Sequence, residues 1–435
     1  MSKDVNVNVE YLTRVEGHGN IVVNAENGDI KECQWQVVEA PRYFESLVVG
    51  RNWKELHHIT SRICGICSIG HTLASLKATE AAMDIKISEQ DALLRRLALH
   101  GENMQSHVLH VGYLALPDLM GVGSVIPLAS SHPEELKTVI RLHRLANDMS
   151  ALMCGRTTHP QRLIPGGFSK LPTEKELLDL KDRLEASVDD LKAVAGLVQD
   201  LAPKLPDFTR ETEFISLTHD DEYALYDGII ASTDTDTYPV DYYLDVTNEY
   251  SVPQSTAKYT KNNRESYMVG ALARLNNNYD QLTPLAKQVS EMFALEPVNH
   301  NPFMNNVAQL VETVHSVEDS INIIDKIMDR GLQEQEAYHQ PEIDVKAGRG
   351  ISAVEVPRGI LFHDYTYDDD GVCTEANCII PTNQNHANIQ QDMEKLVPTI
   401  LDKPEKDIEL TLEMLVRAYD PCISCSTHYV DVKFE

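Results

Sequence analysis

The chain carries the sequence RICGICSIGH at residues 62–71 and a near-copy, DPCISCSTH, at residues 420–428. Each stretch contains a C-x-x-C pair with a histidine shortly after it. Two cysteines at this spacing can direct both sulfurs to one metal ion, and a set of four thiolates suits zinc, nickel or iron rather than a hard cation. The pattern therefore predicts one closed metal site that joins the two ends of the chain, with four ligands: Cys64, Cys67, Cys422 and Cys425.

Three other interpretations of the paired cysteines compete with this one. A structural zinc site is the commonest use of paired C-x-x-C motifs, but zinc-ribbon pairs usually lie about 15 to 20 residues apart. Here 358 residues separate Cys64 from Cys422. A redox dithiol would lie beside a strand-helix-strand pattern, and two copies at opposite ends are not expected. Four ordinary buried cysteines would not be expected to fall into two matching pairs, so a metal site is the preferred interpretation.

Length and composition favour one large globular domain. The chain has 435 residues, of which 42% are hydrophobic, so it can bury a large core. No repeat, linker or low-complexity run divides it, which favours a single domain over residues 1–435. The formal net charge of −29 argues against a surface for nucleic acid or anionic membranes, since either needs clustered lysine and arginine.

The termini and the cysteine count bear on the compartment. Residues 1–6 lack the basic and then apolar run of a secretion signal, and no stretch reaches the roughly 18 apolar residues of a membrane span. Eight cysteines are too sparse for a disulfide scaffold, which fits a reducing compartment. We expect a cytoplasmic protein with no direct membrane span, although a subunit can also be exported on the signal of a partner.

Local patterns predict a mainly α (α+β) fold, with a large helix-bundle core and small peripheral antiparallel β-sheets. Alternating segments on both sides of Asn27-Gly28 predict a β-hairpin. Ser88 and Thr173 have acidic partners three residues later, as in the capping boxes that open helices. The helix that Thr173 opens is predicted to carry one apolar stripe, formed by Leu177, Leu180, Leu184, Val188, Leu191 and Val194.

Later segments are assigned from the same rules. Helices are predicted at about 133–153, 265–295, 304–340, 386–396 and 404–418, with breaks near Pro284, Asn301-Pro302 and Gly331, and strands at 351–364 and 371–380. Three histidines at helical spacing are predicted to be core or helix-face residues rather than metal ligands. They are His100, His107 and His110.

The order of the motifs resembles the large, catalytic subunit of nickel-iron hydrogenases. The resemblance covers nearly the whole chain, and the short length and residues 382–386 are more similar to the soluble, cytoplasmic, multi-subunit branch, which reduces methyl viologen or resembles sulfhydrogenases. It rests on these stretches: 14–18, 44–51, 62–71, His107, His110, 117–118, 159–160, 165–167, 357–359, 381–382 and 420–428.

The resemblance implies reversible oxidation of H2 to protons and electrons at a buried nickel-iron centre. The first cysteine of each pair, Cys64 and Cys422, would be a terminal nickel ligand, and the second, Cys67 and Cys425, would bridge nickel to iron. The iron would carry carbonyl and cyanide ligands. Splitting H2 needs an electrophilic metal and a nearby base, for which the candidates are the terminal thiolates and Arg358.

Other site residues follow from the same resemblance. Arg358 would lie beside the bound gas, oriented by Asp118 or Asp420, and a plain ion pair with either carboxylate is the alternative. Glu16 would relay the proton outward, although an acid in a Glu-Gly-His turn can also simply cap the backbone.

Two more residues are assigned to the cofactor by the resemblance. His71 would donate a hydrogen bond to a cysteine sulfur rather than bind metal, since four thiolates already fill the protein's share of ligands. Pro357 would lie against the same cofactor.

The resemblance also implies a second ion near the C-terminus. Glu45, the backbone carbonyl of His386 and His428 would hold magnesium or iron, and mixed carboxylate, carbonyl and imidazole ligation suits an octahedral ion. Pairing of Glu45 with an arginine such as Arg42 is the alternative. Family precursors are usually cut after the last histidine, whereas residues 429–435 follow it here.

The chain has no cysteine spacing typical of an iron-sulfur cluster outside the two motifs. We therefore expect no such cluster in this chain, an iron-sulfur small subunit as partner, and further electron-transfer subunits with flavin or iron-sulfur centres. Two alternatives remain: a non-catalytic relative similar to the quinone-site subunit of respiratory complex I, which lacks the four cysteines, and a zinc-stapled structural protein. The cysteines outside the motifs are Cys33, Cys154, Cys373 and Cys378.

Overall fold

The computed structural model describes residues 4–333 and 343–427. The strands are β1 (Val5–Val9), β2 (Gly19–Glu26), β3 (Asp29–Val37), β4 (Leu163–Ile164), β5 (Gly167–Phe168), β6 (Glu213–Thr218), β7 (Ile229–Ser232), β8 (Tyr267–Met268), β9 (Gly348–Val356), β10 (Gly359–Tyr367) and β11 (Cys373–Ile379). The helices are α1 (Phe44–Val48), α2 (Leu56–Thr60), α3 (Ser68–Met83), α4 (Glu89–Leu109), α5 (Leu116–Leu119), α6 (Leu128–Ser131), α7 (Pro133–Cys154), α8 (Glu174–Ala186), α9 (Val188–Leu201), α10 (Tyr243–Thr247), α11 (Ala271–Asn278), α12 (Pro284–Met292), α13 (Asn305–Arg330), α14 (Pro381–Ile400), α15 (Glu405–Ala418) and α16 (Ile423–Ser426).

Long helices form the core, as the sequence predicts. Helix α4 packs against α7 and α13, and α13 also contacts α8 and α12. Nearly every residue in the first half of α13 is buried, which is the pattern of a helix enclosed on all sides. Ser88 caps α4 by accepting from the backbone of Asp91, and Thr173 with Glu176 forms the predicted capping box at α8. The fold class is therefore confirmed.

The predicted hairpin at Asn27-Gly28 joins β2 to β3, and β1 completes an antiparallel sheet in the order β1-β2-β3. Both turn residues have positive φ, 53° and 84°. Asn-Gly is the dipeptide that accepts these angles most readily in a two-residue hairpin. This part of the fold is set by residues that are neighbours in the chain.

A second antiparallel sheet has the order β11-β10-β9 and lies against α3, the helix that follows the first cysteine motif. The segment predicted as one strand at 351–364 is in fact two strands, joined by a tight turn at Pro357 and Arg358. A Cβ at Gly350 would lie 2.0 Å from the carbonyl oxygen of Ala78, so glycine allows α3 to approach this closely. Strands β9 and β10 are largely buried, so this sheet lies inside the molecule rather than at its margin.

Two other segments differ from their prediction, and a third ends at a predicted break. The single helix with one apolar stripe is divided at Ser187, and the buried residues beyond it are Leu191, Ala195 and Val198 rather than Val188 and Val194. Residues 265–270 are not helical, because β8 pairs there in parallel with β6, which makes that sheet mixed. Helix α13 ends at Arg330, at the break predicted near Gly331, whose φ is 77°, and residues 334–340 lie outside the described residues.

Within the part of the chain that the structure describes, no helix is both long enough and apolar enough to cross a bilayer.

Candidate metal centre

The two ends of the chain meet in a short pairing of backbone segments. The amide of Glu16 donates to the carbonyl of Pro421 at 3.3 Å, and the amide of Ile423 donates to the carbonyl of Glu16 at 2.9 Å. Gly17 has φ of +84°, and a Cβ there would lie 2.7 Å from the amide nitrogen of Ser424. Glycine is thus required at this crossing, both for its backbone angle and for the close approach.

The four motif cysteines lie together, as the sequence predicts. Their sulfurs are all within 4.8 Å of one another, and every one of the four residues is buried. The sulfurs of Cys64 and Cys422 are 3.6 Å apart although 358 residues separate them in sequence. The amide of Cys67, which directly precedes α3, donates to the sulfur of Cys64 at 3.0 Å. Among the described residues, these four are the group of His, Cys, Asp and Glu side chains placed to share an ion.

The sulfurs do not share negative charge equally. Burial alone would raise the pKa of Cys64, but hydrogen bonds from the other three cysteines, together with Arg358, lower it well below its usual range. Hydrogen bonds with its neighbours, Cys425 first, and burial raise the pKa of Cys422 well above its usual range. One thiolate is therefore tolerated and more are opposed, because like charges in a buried space repel. A divalent cation would remove this conflict, since it binds thiolates in their deprotonated form.

Arg358 lies in the β9–β10 turn and is 4% exposed. Its guanidinium donates to the backbone oxygen of Asp420 at 2.5 Å and to Oδ1 of Asp420 at 2.8 Å. Oδ2 of Asp420 accepts from Gln309 at 3.0 Å. Burial acts to lower the pKa of Arg358, but Asp420 and the cysteine sulfurs raise it well above its usual range. The side chain therefore stays protonated and can donate hydrogen bonds, which weakens its candidacy as a base.

Asp118 does not pair with Arg358, contrary to one of the two predicted possibilities. Its carboxylate instead lies between Arg14 and Arg417, at 2.5 Å from Nη2 of the former and 2.9 Å from Nη1 of the latter. Arg417 also donates to the backbone oxygen of Thr13 at 3.0 Å. Asp118 thus ties the N-terminal segment to the end of α15, one step away from the cysteine cluster.

Arg274 holds the turn that carries Arg358, and sequence reasoning missed it. Its guanidinium donates to the carbonyls of Val356 at 2.8 Å and Pro357 at 3.0 Å. It also forms ion pairs with Glu312 at 2.6 Å and Glu355 at 2.8 Å, and all three charged side chains are at most 1% exposed. Pro357 is therefore fixed through its backbone oxygen. No spacing in the sequence signals Arg274, because its partners come from other elements.

Glu16 directly contacts the cysteine cluster. Its Oε2 accepts from the thiol of Cys422 at 3.1 Å and from the amide of Ser424 at 3.1 Å. Its Oε1 accepts from the hydroxyl of Ser424. The side chain is only partly buried, so one carboxylate lies between the sulfur and the outside of the protein.

His71 is fully buried in α3, and its Nδ1 lies 3.2 Å from Nε2 of His363. Its Nε2 forms no hydrogen bond with the described protein groups, so the predicted bond to a cysteine sulfur is not observed. The ring is close enough to Cys64 for the sulfur to act on its pKa. The role of His71 stays a prediction.

The residues predicted for a second ion are only partly described. Glu45 is buried in α1. His386 lies inside α14, where its Nδ1 accepts from Trp35 at 3.0 Å and its Nε2 lies 2.9 Å from the hydroxyl of Ser426. His428 lies outside the described residues. The second ion site therefore stays a prediction.

The three core histidines are buried next to polar partners, as expected. His100 lies 2.8 Å from Oδ2 of Asp319, and His107 lies 2.7 Å from Oε2 of Glu312. His110 contacts both Gln309, at 2.5 Å, and the backbone oxygen of Arg417, at 2.7 Å. These contacts give each of the three rings at least one polar partner, and His110 has a partner on both nitrogens.

Comparison with known proteins identifies the family. The family profile described as nickel-dependent hydrogenase matches residues 42–140 and 217–428, and one described as HoxL-like matches residues 6–40. The chain belongs to the nickel-dependent hydrogenase family. It is 31% identical to sulfhydrogenase 1 subunit alpha of Pyrococcus furiosus over 98% of each chain. It is 28% identical to the NAD-reducing hydrogenase HoxS subunit beta of Cupriavidus necator, over 97% of this chain and 94% of that protein.

A solved hydrogenase has the same overall structure. The crystal structure of an NAD+-reducing [NiFe]-hydrogenase in the H2-reduced state superposes with a TM-score of 0.88, at 27% identity, over 97% of this chain and 99% of that one.

The residues present in this hydrogenase chain fit a nickel-iron centre. Four buried sulfurs within 4.8 Å of one another form a compact soft-donor set. Their disfavoured simultaneous ionisation is the property expected of a site that a cation completes. The buried Arg358 and the carboxylate of Glu16 lie next to the same sulfurs.

Proposed function

We propose that this chain is the hydrogen-activating subunit of a nickel-iron hydrogenase, which oxidises H2 reversibly to protons and electrons. The observation that carries the proposal is the convergence of four buried cysteine sulfurs from the two ends of the chain, within 4.8 Å of one another. A zinc-stapled structural protein would need those sulfurs too, but it would not need the carboxylate of Glu16 on Cys422 or the buried Arg358.

The four cysteines have different roles in this proposal. Cys64 and Cys422 would hold nickel as terminal ligands, Cys67 and Cys425 would be shared between nickel and iron, and carbon monoxide and cyanide would complete the ligands of the iron. When bound, the bimetallic centre supplies the electrophile that polarises H2. The protein supplies the rigid, dry pocket and the groups that receive and move the proton.

The proton leaves through Cys422 and Glu16. The thiol of Cys422 donates to Oε2 of Glu16 at 3.1 Å, within the distance at which a proton passes between two groups. Ser424 donates to both carboxylate oxygens, through its amide and its hydroxyl, which fixes the orientation of the carboxylate. Because Glu16 is partly exposed, it can pass the proton on towards solvent.

Arg358 donates hydrogen bonds and carries a positive charge beside the sulfurs. It does not act as the base that receives the proton of H2. Asp420 orients its guanidinium, and Arg274 holds the carbonyl of Pro357 immediately before it. A fixed cation next to a cluster of thiolates offsets their negative charge. His71 is the proposed donor, through Nε2–H, to a cysteine sulfur of the metal-bound centre.

A magnesium or iron ion bound by Glu45, the backbone carbonyl of His386 and His428 is part of the proposal. It would lie near the C-terminal motif, because His386 contacts Ser426. Mixed oxygen and imidazole ligation suits either metal.

Electrons leave through a partner, since this chain offers them no cluster in the proposed scheme. Apolar side chains are exposed next to the metal centre: Tyr43 at 49%, Leu47 at 49% and Val49 at 46%. They flank or belong to α1, whose neighbour Arg42 donates its amide to the carbonyl of Thr427. Exposed apolar groups of this kind mark protein interfaces. The partner proposed for this surface is an iron-sulfur small subunit, with flavin or iron-sulfur subunits beyond it, in the cytoplasm.

Metal analysis and infrared spectroscopy of the purified complex test the proposal. We expect nickel as well as iron, absorption bands of iron-bound carbon monoxide and cyanide, and H2-dependent reduction of a viologen dye. Zinc in place of nickel and iron would support the structural alternative, and a metal-free chain would support the non-catalytic relative.

The partner surface has its own test. We expect Leu47→Asp to release the small subunit during size-exclusion chromatography while the large chain keeps nickel and iron. Leu178→Asp is the matched control, because Leu178 is equally exposed, at 46%, but lies on α8 in the helical part of the fold. Release by both variants, or by neither, would contradict the assigned interface.

A further inference from the structure

Three buried polar side chains, His71, His363 and Tyr365, form a hydrogen-bonded network that runs from α3 into β10. Nδ1 of His71 lies 3.2 Å from Nε2 of His363, and Nδ1 of His363 lies 2.5 Å from the hydroxyl of Tyr365. All three side chains are 0% exposed. The network begins one helical turn after Cys67 and ends inside the sheet, so it connects the first cysteine motif to the interior of the protein.

The protonation states of the three side chains in this network follow from burial. Burial lowers the pKa of His71 to about 4, with Cys64 acting in the opposite direction. Burial, assisted by His71, lowers the pKa of His363 well below its usual range, and burial raises the pKa of Tyr365 well above its usual range. At neutral pH the network therefore consists of two neutral imidazoles and a phenol that keeps its proton.

Two neutral imidazoles in contact allow two proton arrangements, since each ring carries one N–H. In the first, Tyr365 donates to Nδ1 of His363, Nε2–H of His363 donates to Nδ1 of His71, and His71 carries its proton on Nε2. In the second, both hydrogen bonds are reversed, and Nε2 of His71 has a lone pair.

The cysteine cluster distinguishes the two arrangements. Nδ1 of His71 is engaged by His363, so Nε2 is the nitrogen left for the sulfurs, and it forms no hydrogen bond with the described protein groups. Cys64 is close enough to act on the ring, and a cysteine that binds a metal does so as a thiolate. A lone pair is repelled by a thiolate, whereas an N–H is attracted to it. The first arrangement gives the Tyr365 hydroxyl an acceptor at one end of the network and places an N–H towards the sulfurs at the other.

We propose that His363 and Tyr365 are positioning residues that hold His71 in the Nε2–H tautomer, so that His71 presents a donor to the cysteine sulfurs. The tautomer itself does not depend on the proposed hydrogenase function, but its effect on the metal centre rests on that function. Partners that orient a histidine at a metal site typically change metal affinity or activity by about 10- to 100-fold.

Four variants separate positioning from general packing. Tyr365→Phe removes the hydroxyl that donates to His363 at the inner end of the network. Tyr367→Phe is its matched control, because Tyr367 lies on the same face of β10, is 2% exposed, and directs its hydroxyl to Thr79 at 2.7 Å instead. His363→Leu removes both hydrogen bonds of the network, whereas His363→Gln keeps an oxygen to accept from Tyr365 and an N–H to donate to His71.

Nitrogen-15 NMR of the full chain prepared without nickel tests the tautomer directly. With labelled histidine, the signals of His71 and His363 are identified by their loss in His71→Gln and His363→Gln. We expect both rings to carry the proton on Nε2, and the Nδ1 signal of His363 to shift in Tyr365→Phe but not in Tyr367→Phe. A proton on Nδ1 of His71 in the unmodified protein would overturn the proposal, as would a His363 signal indifferent to Tyr365→Phe.

The holoenzyme provides a second readout that separates this inference from the proposed function. We expect the infrared bands of the iron-bound ligands to shift in Tyr365→Phe and His363→Leu and to stay in place in Tyr367→Phe and His363→Gln. The kcat for H2 oxidation should fall by about 10- to 100-fold in His363→Leu and be largely kept in His363→Gln. Bands that are identical in all variants would refute the positioning role. Absence of any bands in the unmodified protein would refute the nickel-iron assignment, and the NMR result would then decide the tautomer alone.

Discussion

At the scale of single residues, the site depends on polar groups buried against one another. Glu16 is held by Ser424 and contacts the thiol of Cys422, whereas Glu39 accepts from the amide and ring of the more exposed His18. Two carboxylates near one turn thus have different surroundings. The sequence alone singled out Glu16 by its motif, but only the structure shows that a cysteine sulfur is its neighbour.

Glu16→Gln should abolish turnover while leaving the metals in place. The amide is nearly isosteric with the carboxylate, but it cannot accept and release a proton, and losing a proton-transfer group typically costs about 100- to 10,000-fold. H2 oxidation and nickel content are the measurements, with Glu39→Gln as the control that should retain activity. A normal rate of H2 oxidation in Glu16→Gln would rule out the relay.

His57 should make stability depend on pH. Burial, assisted by His58 and Arg95, lowers its pKa to about 3, and neither ring nitrogen forms a hydrogen bond with another described residue. An unfolded chain binds a proton at this residue below its usual pKa of 6.5, whereas the folded chain does not, so stability is lost as pH falls below that value.

The expected loss attributable to His57 is about 1.4 kcal/mol per pH unit, or about 2 kcal/mol between pH 6.5 and 5. Denaturant unfolding of His57→Leu should show a shallower dependence on pH than the unmodified protein. His18→Gln is the control, because the side chain of His18 is 61% exposed. Parallel curves for His57→Leu and the unmodified protein would contradict the assignment.

At the scale of elements, the β9–β10 turn is the feature that most needed the structure. The sequence predicts strand character on both sides of residues 357–358, but it does not predict the break between them. The break is stabilised by Arg274 on α11, whose guanidinium binds the carbonyls of Val356 and Pro357. A donor from a distant helix leaves no trace in local periodicity, which is why the two strands were merged.

Arg274→Met should destabilise the protein by about 3–5 kcal/mol, because it leaves the buried carboxylates of Glu312 and Glu355 without their cation. Denaturant unfolding measures the change. Arg183→Met is the matched control: Arg183 pairs with Asp148 where both side chains are 49% exposed, and such a pair contributes about 0–1 kcal/mol. Equal effects of the two substitutions would show that burial of the Arg274 network is not what stabilises it.

At the scale of the whole molecule, the metal centre closes the chain on itself. Backbone hydrogen bonds join Glu16 to Pro421 and Ile423, and the cysteine sulfurs converge beside them. Without a cation, the raised pKa of Cys67 and Cys422 keeps these thiols protonated, and the metal-sulfur bonds that would join the two ends are not formed.

Metal removal should therefore loosen both ends of the chain together. Hydrogen exchange followed by mass spectrometry should show faster exchange of residues 14–18 and 420–427 in chain produced without nickel than in the loaded protein. Peptides from the first half of α13, which is enclosed by the helical core, should exchange equally in both. Unchanged protection at the two ends would mean that the backbone pairing alone holds them.

The sequence by itself determined the chemistry of the centre and the elements built from near neighbours. The C-x-x-C pairs, the Asn-Gly hairpin and the helix caps at Ser88 and Thr173 all depend on residues within a few positions of one another, where spacing sets geometry. The tertiary structure decided which distant groups meet: Asp420 rather than Asp118 with Arg358, Arg274 with the β9–β10 turn, and His363 with His71. Those contacts join residues tens to hundreds of positions apart, and packing of the helices and sheet against one another, not local spacing, brings them together.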